Sequence, residues 1–194
     1  RAFNLSGGEQ VAIHQLRGPV AARRFNDLAV ATNGDVYATD SRGNALYRVA
    51  GGRFELFFRD DSFTGPDGVV QAPDGRRLYV AHAEGVSVID LETKRRLLLT
   101  VPEGAAIGGI DGMAWHDGGL VAVQNAPHLL RLARIELDPG GARALRVIPL
   151  NLQLPQGYIP ISVAAAGGTF YVTALRGSSA GANASGPMSL IQEI

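Results

Sequence analysis

The chain has 194 residues, 46% hydrophobic and 19% charged, a composition that builds a packed core and excludes a disordered chain. Eighteen Lys and Arg balance eighteen Asp and Glu, so there is no net basic surface to recruit nucleic acid or insert against an anionic membrane. Cysteine is absent, which excludes disulfides and thiolate chemistry, and no apolar run approaches the roughly 20 residues of a membrane-spanning helix.

One lysine, Lys94, stands against seventeen arginines in an Ala- and Gly-rich background, the usage of a GC-rich bacterial genome. Redox composition leaves the compartment open. A soluble protein is expected, cytoplasmic, or periplasmic or secreted if a signal peptide precedes Arg1.

Taken in chain order, residues 1–25 read as an edge or closing segment of strand-like sequence. A repeat then begins. Its first copy is Asn26-Asp27-Leu28-Ala29-Val30, Asn33-Gly34, Val36-Tyr37-Ala38-Thr39-Asp40. The second is Pro66-Asp67-Gly68-Val69-Val70, Asp74-Gly75, Leu78-Tyr79-Val80-Ala81-His82. The third is Ile110-Asp111-Gly112-Met113-Ala114, Asp117-Gly118, Leu120-Val121-Ala122-Val123-Gln124-Asn125. A weaker fourth runs Ile161-Ser162-Val163-Ala164, Gly167-Gly168, Phe170-Tyr171-Val172-Thr173. The leading aspartates Asp27, Asp67 and Asp111 are 40 and then 44 residues apart.

Each copy predicts a hairpin, because Asn-Gly, Asp-Gly and Gly-Gly tolerate the positive φ of a tight turn between two short apolar runs. A third strand is predicted at Ala45–Val49, Val86–Ile89, Leu130–Ile135 and Met188–Ile194. A fourth is predicted at Phe54–Phe58, Arg96–Thr100 and Ala144–Leu150. No segment keeps a helical period. Four antiparallel strands recurring at this interval define an all-β β-propeller, one domain over 1–194 with about four blades at 26–63, 67–107, 111–155 and 161–194. Leu28, Val30, Val69, Met113, Trp115, Tyr37, Tyr79, Phe170 and Tyr171 are expected to pack between adjacent sheets. Asp27 and Asp40 are expected in turns.

Three stretches resemble the SMP-30/gluconolactonase/LRE-like (regucalcin-like) family. Arg24-Phe25-Asn26-Asp27 is similar to its Arg-x-Asn-Asp segment, and Ile110-Asp111-Gly112-Met113 to its Pro-Asp-Gly-Met segment. Gly167 to Ala174 followed by Arg176-Gly177 is similar to its last-blade strand. The order and spacing match from about residue 24 onward. The resemblance implies a six-bladed parent ring of which this chain holds the later blades. It also implies hydrolysis of sugar lactones or related esters at one divalent metal in the central channel. Arg24 and Asn26 would line the substrate pocket, and Asp111 would bind metal and act as general base. Where the family carries Ser-Asn-Gly, this sequence has Gly65-Pro66-Asp67-Gly68, which replaces an amide ligand by a carboxylate. No residue here matches the family's first-blade metal-binding Glu.

Read from the residues alone, Asn26, Asp67 and Asp111 hold matching places in successive blades, so their side chains can converge on a shared channel. Two carboxylates and an amide oxygen suit Ca²⁺, Mg²⁺ or Mn²⁺ better than a soft metal; with the resemblance, one divalent ion is expected, Ca²⁺ first, with Zn²⁺, Mn²⁺ or Mg²⁺ as alternatives. A cation there would polarise a lactone carbonyl, Asp111 could take a proton from water, and Arg24 could hold a polar substituent. Taken singly, each aspartate has the commoner role of capping a turn. A non-catalytic propeller that binds a small molecule or protein through loops on one face is the alternative reading. The scattered His14, His82, His116 and His128 form no ligand set, and His82 is expected to be packed. Ser178-Ser179 lies in a Gly/Ala/Ser-rich loop (Gly177 to Gly186) with none of the context of a nucleophile, and Asn183-Ala184-Ser185 is a glycosylation sequon.

Overall fold

The computed structural model describes residues 1–16, 23–126, 128–176 and 192–193. Every regular element among them is a strand. A short hairpin pairs β1 (Ala2–Phe3) with β2 (Gln10–Ala12). Blade 1 then runs β3 (Phe25–Val30), β4 (Val36–Asp40), β5 (Ala45–Ala50) and β6 (Arg53–Arg59). Blade 2 runs β7 (Val69–Gln71), β8 (Arg77–His82), β9 (Gly85–Asp90) and β10 (Arg96–Leu98). Blade 3 runs β11 (Ile110–His116), β12 (Gly119–Ala126), β13 (Leu129–Leu137) and β14 (Ala144–Leu150). Blade 4 runs β15 (Tyr158–Ala166), β16 (Thr169–Arg176) and β17 (Gln192–Glu193). Every sheet is an antiparallel meander in sequence order, so the chain is an all-β β-propeller with about four blades. The Gly177–Gly186 loop, the sequon, and all but Gln192–Glu193 of the strand expected at Met188–Ile194 lie outside the described residues.

The hairpin turns divide into two kinds. In blade 3, Asp117 (φ 43°) and Gly118 (φ 73°) both adopt left-handed backbone between the paired His116 and Gly119. Gly167 (φ 58°) and Gly168 (φ 84°) do the same in blade 4, giving two-residue loops whose twist matches the strands. Blades 1 and 2 use longer loops in which only the glycine, Gly34 or Gly75, has positive φ, closed by Gly34 N–H to Ala31 O and Gly75 N–H to Ala72 O. The sequence pair predicted the turn but not its length.

Apolar alternation places three seams between blades. Ala29, Tyr37, Leu46 and Phe57 meet Val69, Leu78, Val80 and Ile89 between blades 1 and 2. Tyr79, Ala81, Val86 and Val88 meet Met113, Leu120, Ala122 and Ile135 between blades 2 and 3. Ala114, Val121, Val123 and Leu132 meet Val163 and Val172 between blades 3 and 4. Half-buried Trp115 packs on the second seam, its ring 5.6 Å from that of Tyr79, and Phe170 packs on the third. Seams are also tied by polar bonds: Tyr79 Oη donates to Gly141 O at 2.9 Å, and Arg77 Nη1 donates to Gly140 O.

Three residues expected in these seams are not there. Leu28 is 60% exposed, Val30 67% and Tyr171 39%. Side chains at successive strand positions point to opposite faces, and these three lie on faces that no described blade covers. Leu28 sits opposite Ala38 in the blade 1 register, as Val69 sits opposite Val80 and Met113 opposite Ala122. Val69 and Met113 pack on the preceding blade, whereas the corresponding face of blade 1 meets none among the described residues. Tyr171 lies on the opposite, outward face of blade 4.

Candidate functional site

Each inner strand breaks its ladder at the same place. In β3 the pairs Phe25↔Asp40 and Leu28↔Ala38 leave Asn26 and Asp27 facing one residue, Thr39. In β11 the pairs Ile110↔Gln124 and Met113↔Ala122 leave Asp111 and Gly112 facing Val123. Ahead of β7, Asp67 N–H donates to Ala81 O and Gly68 O accepts from Ala81 N–H, so both face Ala81. In β15, Ile161 is the extra residue between Pro160↔Ala174 and Ser162↔Thr173. A bulge re-aims the side chains it carries and is often found beside functional sites. The first bulge position is therefore Asn26, Asp67, Asp111 and Ile161 in successive blades, and the second is Asp27, Gly68, Gly112 and Ser162.

The second position explains the Asp-Gly pairs. A Cβ on Gly68 would fall 2.3 Å from Asp111 O, and one on Gly112 would fall 2.6 Å from Ser162 Cα. Only glycine lets the inner strands approach this closely, and this approach brings Asp67 and Asp111 together. In blade 1 the same position is Asp27. It is not in a turn, as expected from sequence, but in β3. Its Oδ2 reaches across the seam to accept Val69 N–H at 2.9 Å, while Oδ1 accepts Leu28 N–H at 2.8 Å. Asp40 does hold a turn: buried at the end of β4, its Oδ1 accepts the N–H groups of Arg24, Arg42 and Gly43. This fixes the backbone at Arg24.

Asp67 and Asp111 form the centre of the site. Their carboxyl groups are close enough to share a proton, and both are half-buried. Burial pushes the Asp67 carboxyl up to about 7, reinforced by the Asp111 charge and hydrogen bond and by the Asp27 charge, and opposed by Arg24. Burial also raises Asp111, but the Asn125 amide, the bond to Asp67 and the Arg24 charge hold it down. The pair thus titrates as a unit in which Asp67 is the protonated partner. Asp67 Oδ1 is buried and meets no hydrogen-bond donor among the described residues.

Of the residues expected here, Asp67 and Asp111 meet, and Arg24 lies near enough to act on both charges. Asn26 shares their register but is exposed, and the amide bonded to Asp111 is that of Asn125, at 2.6 Å. Asn125 and Asp27 were missed by sequence reasoning. Asn125 lies within β12, at the end of the third copy of the repeat, yet nothing in its local sequence assigns it a role. His82 is packed: its Nδ1 accepts Glu84 N–H at 3.4 Å and its Nε2 lies 2.8 Å from Ser87 Oγ. Burial lowers the His82 pKa, keeping it neutral.

The donor set tests well against a hard cation. Two carboxylates are held together at an electrostatic cost, and one buried oxygen lacks a donor, both of which a divalent ion would relieve. Among the described residues no group of three His, Cys, Asp or Glu side chains is placed to hold a metal, so amide or water oxygens would complete the shell.

Comparison with family models and with curated proteins finds no match. Solved structures do match. A calcium-binding protein, regucalcin, from Agrobacterium tumefaciens aligns with TM-score 0.67 and 16% identity over 91% of this chain and 62% of its own. A gluconolactonase from Xanthomonas campestris gives 0.57 and 17%, over 82% of this chain and 58% of its own. Virginiamycin B lyase from Staphylococcus aureus gives 0.56 and 15%, over 76% of this chain, which spans 47% of that enzyme's length. At such identities the likeness is one of fold, and the fold it establishes is the β-propeller.

Proposed function

We propose that this chain carries the channel site of a metal-dependent hydrolase of the SMP-30/gluconolactonase type, acting on a sugar lactone or a related ester. The carrying observation is the bulge-mounted carboxyl pair Asp67–Asp111, drawn together by Gly68, with a buried oxygen that lacks a donor. The sequence resemblance and the structural likeness to a regucalcin and a gluconolactonase support this reading. In it, the four blades belong to a six-bladed ring. Asp67 and Asp111 hold the ion, with Asn26 completing the set from the neighbouring register position. Ca²⁺ is favoured by the all-oxygen donors. When bound, the cation supplies Lewis-acid polarisation of the ester carbonyl.

The remaining chemistry belongs to the side chains. Asp111 takes a proton from the attacking water as its oxygen bonds to the carbonyl carbon. The ester C–O bond then breaks, and the same proton returns to the departing alkoxide. Arg24, exposed beside the pair, holds a polar substituent of the substrate, and its charge favours the ionised form of Asp111.

The test is a thermal melt with millimolar Ca²⁺, Mn²⁺ or Zn²⁺, alongside hydrolysis of a sugar-lactone panel. A ligand at a hundredfold excess over its Kd adds about 2.7 kcal/mol of stability. The wild-type midpoint is expected to rise and that of Asp111→Asn to stay in place, with lactone hydrolysis lost in the variant. An unchanged wild-type midpoint together with unimpaired Asp111→Asn would sink the proposal.

A further inference from the structure

Asn125 sits next to the end of β12, half-buried, with both hydrogens of its amide directed at acceptors. Its Nδ2 donates to Asp111 Oδ2 at 2.6 Å and to Pro160 O, in blade 4, at 3.2 Å. Its backbone N–H donates to Gly109 O at 2.9 Å, two residues ahead of Asp111. The preceding residue reinforces this arrangement. Gln124, 1% exposed, donates from Nε2 to Ala106 O at 3.2 Å and Gly108 O at 2.8 Å. Its Oε1 accepts Arg131 Nε–H at 2.7 Å, and Arg131 Nη2 donates to Ala106 O at 3.0 Å. The end of β12 is therefore clamped to the segment that delivers Asp111, and through Pro160 to the next blade.

This clamp has a consequence for Asp111. The terminal torsion of an aspartate is broad and nearly two-fold, so a carboxylate on a bulge has no intrinsic reason to present one oxygen rather than the other. An amide donating to one oxygen removes that freedom, and a donor to a charged acceptor makes a short, strong bond. We propose that Asn125 is the positioning residue of the site: it engages Asp111 Oδ2 and thereby leaves Oδ1 as the oxygen for the chemistry. What Oδ1 then does rests on the hydrolase reading above; the positioning does not. Asn125 touches neither water nor substrate in this role. It acts through Asp111, and it links blade 4 to a site whose acidic groups come from blades 2 and 3.

The experiment compares wild type, Asn125→Ala and Asn125→Ser, which keeps a short donor. Calorimetric titration with Ca²⁺ is expected to show about tenfold weaker binding in Asn125→Ala, the lower end of what outer-shell partners contribute, with partial recovery in Asn125→Ser. The metal-free melting midpoints are expected to stay close, because Gln124 and the strand ladder still hold the segment. Equal Ca²⁺ affinity in wild type and Asn125→Ala overturns the proposal. A wild type that binds no cation would overturn the hydrolase reading instead. A second measurement on metal-free protein decides the positioning in either case. The side-chain amide resonances of Asn125 are expected to shift in Asp111→Ala, and resonances that stay in place overturn it.

Discussion

Blades 1 and 2 carry the same register and bury it to opposite extents. Leu28 and Val69 occupy one repeat position, opposite Ala38 and Val80, yet Leu28 is 60% exposed and Val69 3%. Chemistry does not separate them, since both are branched aliphatic residues. What separates them is a neighbour: blade 1 covers Val69, and no described blade covers Leu28. Among the described residues, the inner blades are thus sandwiched on both faces, while blades 1 and 4 each bury one. The carboxyl pair lies at the seam of the two fully sandwiched blades, 2 and 3. Packing from both sides there supplies the rigidity that holds like charges together and the burial that raises Asp67.

The strongest challenge to this comparison is a pair of truncations. Leu120→Ala, in the seam of blades 2 and 3 at 0% exposure, is expected to cost about 2–5 kcal/mol of unfolding free energy. Leu28→Ala is expected to change it by less than about 0.5 kcal/mol. Urea denaturation measures both, and equal losses would show that the outward face of blade 1 is covered in solution.

Next in size is Gly68→Ala. Its Cβ would collide with Asp111 O, forcing the inner strands apart at a cost of about 1–3 kcal/mol. Cation affinity is expected to fall with it, because the two carboxyls separate. A variant as stable and as cation-responsive as wild type would show that the close approach is not what assembles the pair.

A smaller effect is a pH dependence. Asp67 is raised in the folded protein, from an ordinary value near 3.8 to about 7. Its contribution to stability is whole below the unfolded value and is lost as pH rises through about 7, because the native state binds the extra proton. Asp67→Asn removes that dependence. The metal-free variant is expected to gain on wild type between about pH 4 and pH 7, with urea midpoints read at intervals across the range. Parallel profiles would mean that the carboxyl pair is not strained. Smallest of all is Glu136→Gln at the rim of blade 3. It removes the 2.7 Å pair with the largely exposed Arg146 and is expected to cost less than about 1 kcal/mol in the same assay.

Much of this was legible in the sequence. The Asp-Gly and Gly-Gly turns, the spacing of the copies and the third and fourth strands all come from local rules, and the strands among the described residues follow them. Asp67 and Asp111 were legible as equivalent positions. Asn26 was equally legible by register, yet its side chain is exposed rather than bonded to the pair. Asp27 was misread as a turn residue because an aspartate before an apolar run looks the same whether it caps a turn or crosses a seam. Asn125 was legible as the end of the third copy but not as a site residue, because its significance depends on Asp111 and Pro160, fourteen and thirty-five residues away.

The division has a physical basis. Turn type and strand alternation depend on the φ preferences and side-chain periodicity of a few neighbouring residues, so the sequence alone determined the blades and their repeat. Which face of a blade is covered, which glycine lets two backbones meet, and which amide orients a carboxylate depend on distances between strands far apart in the chain. Those distances exist only once the blades have packed, and so the tertiary structure decided the site.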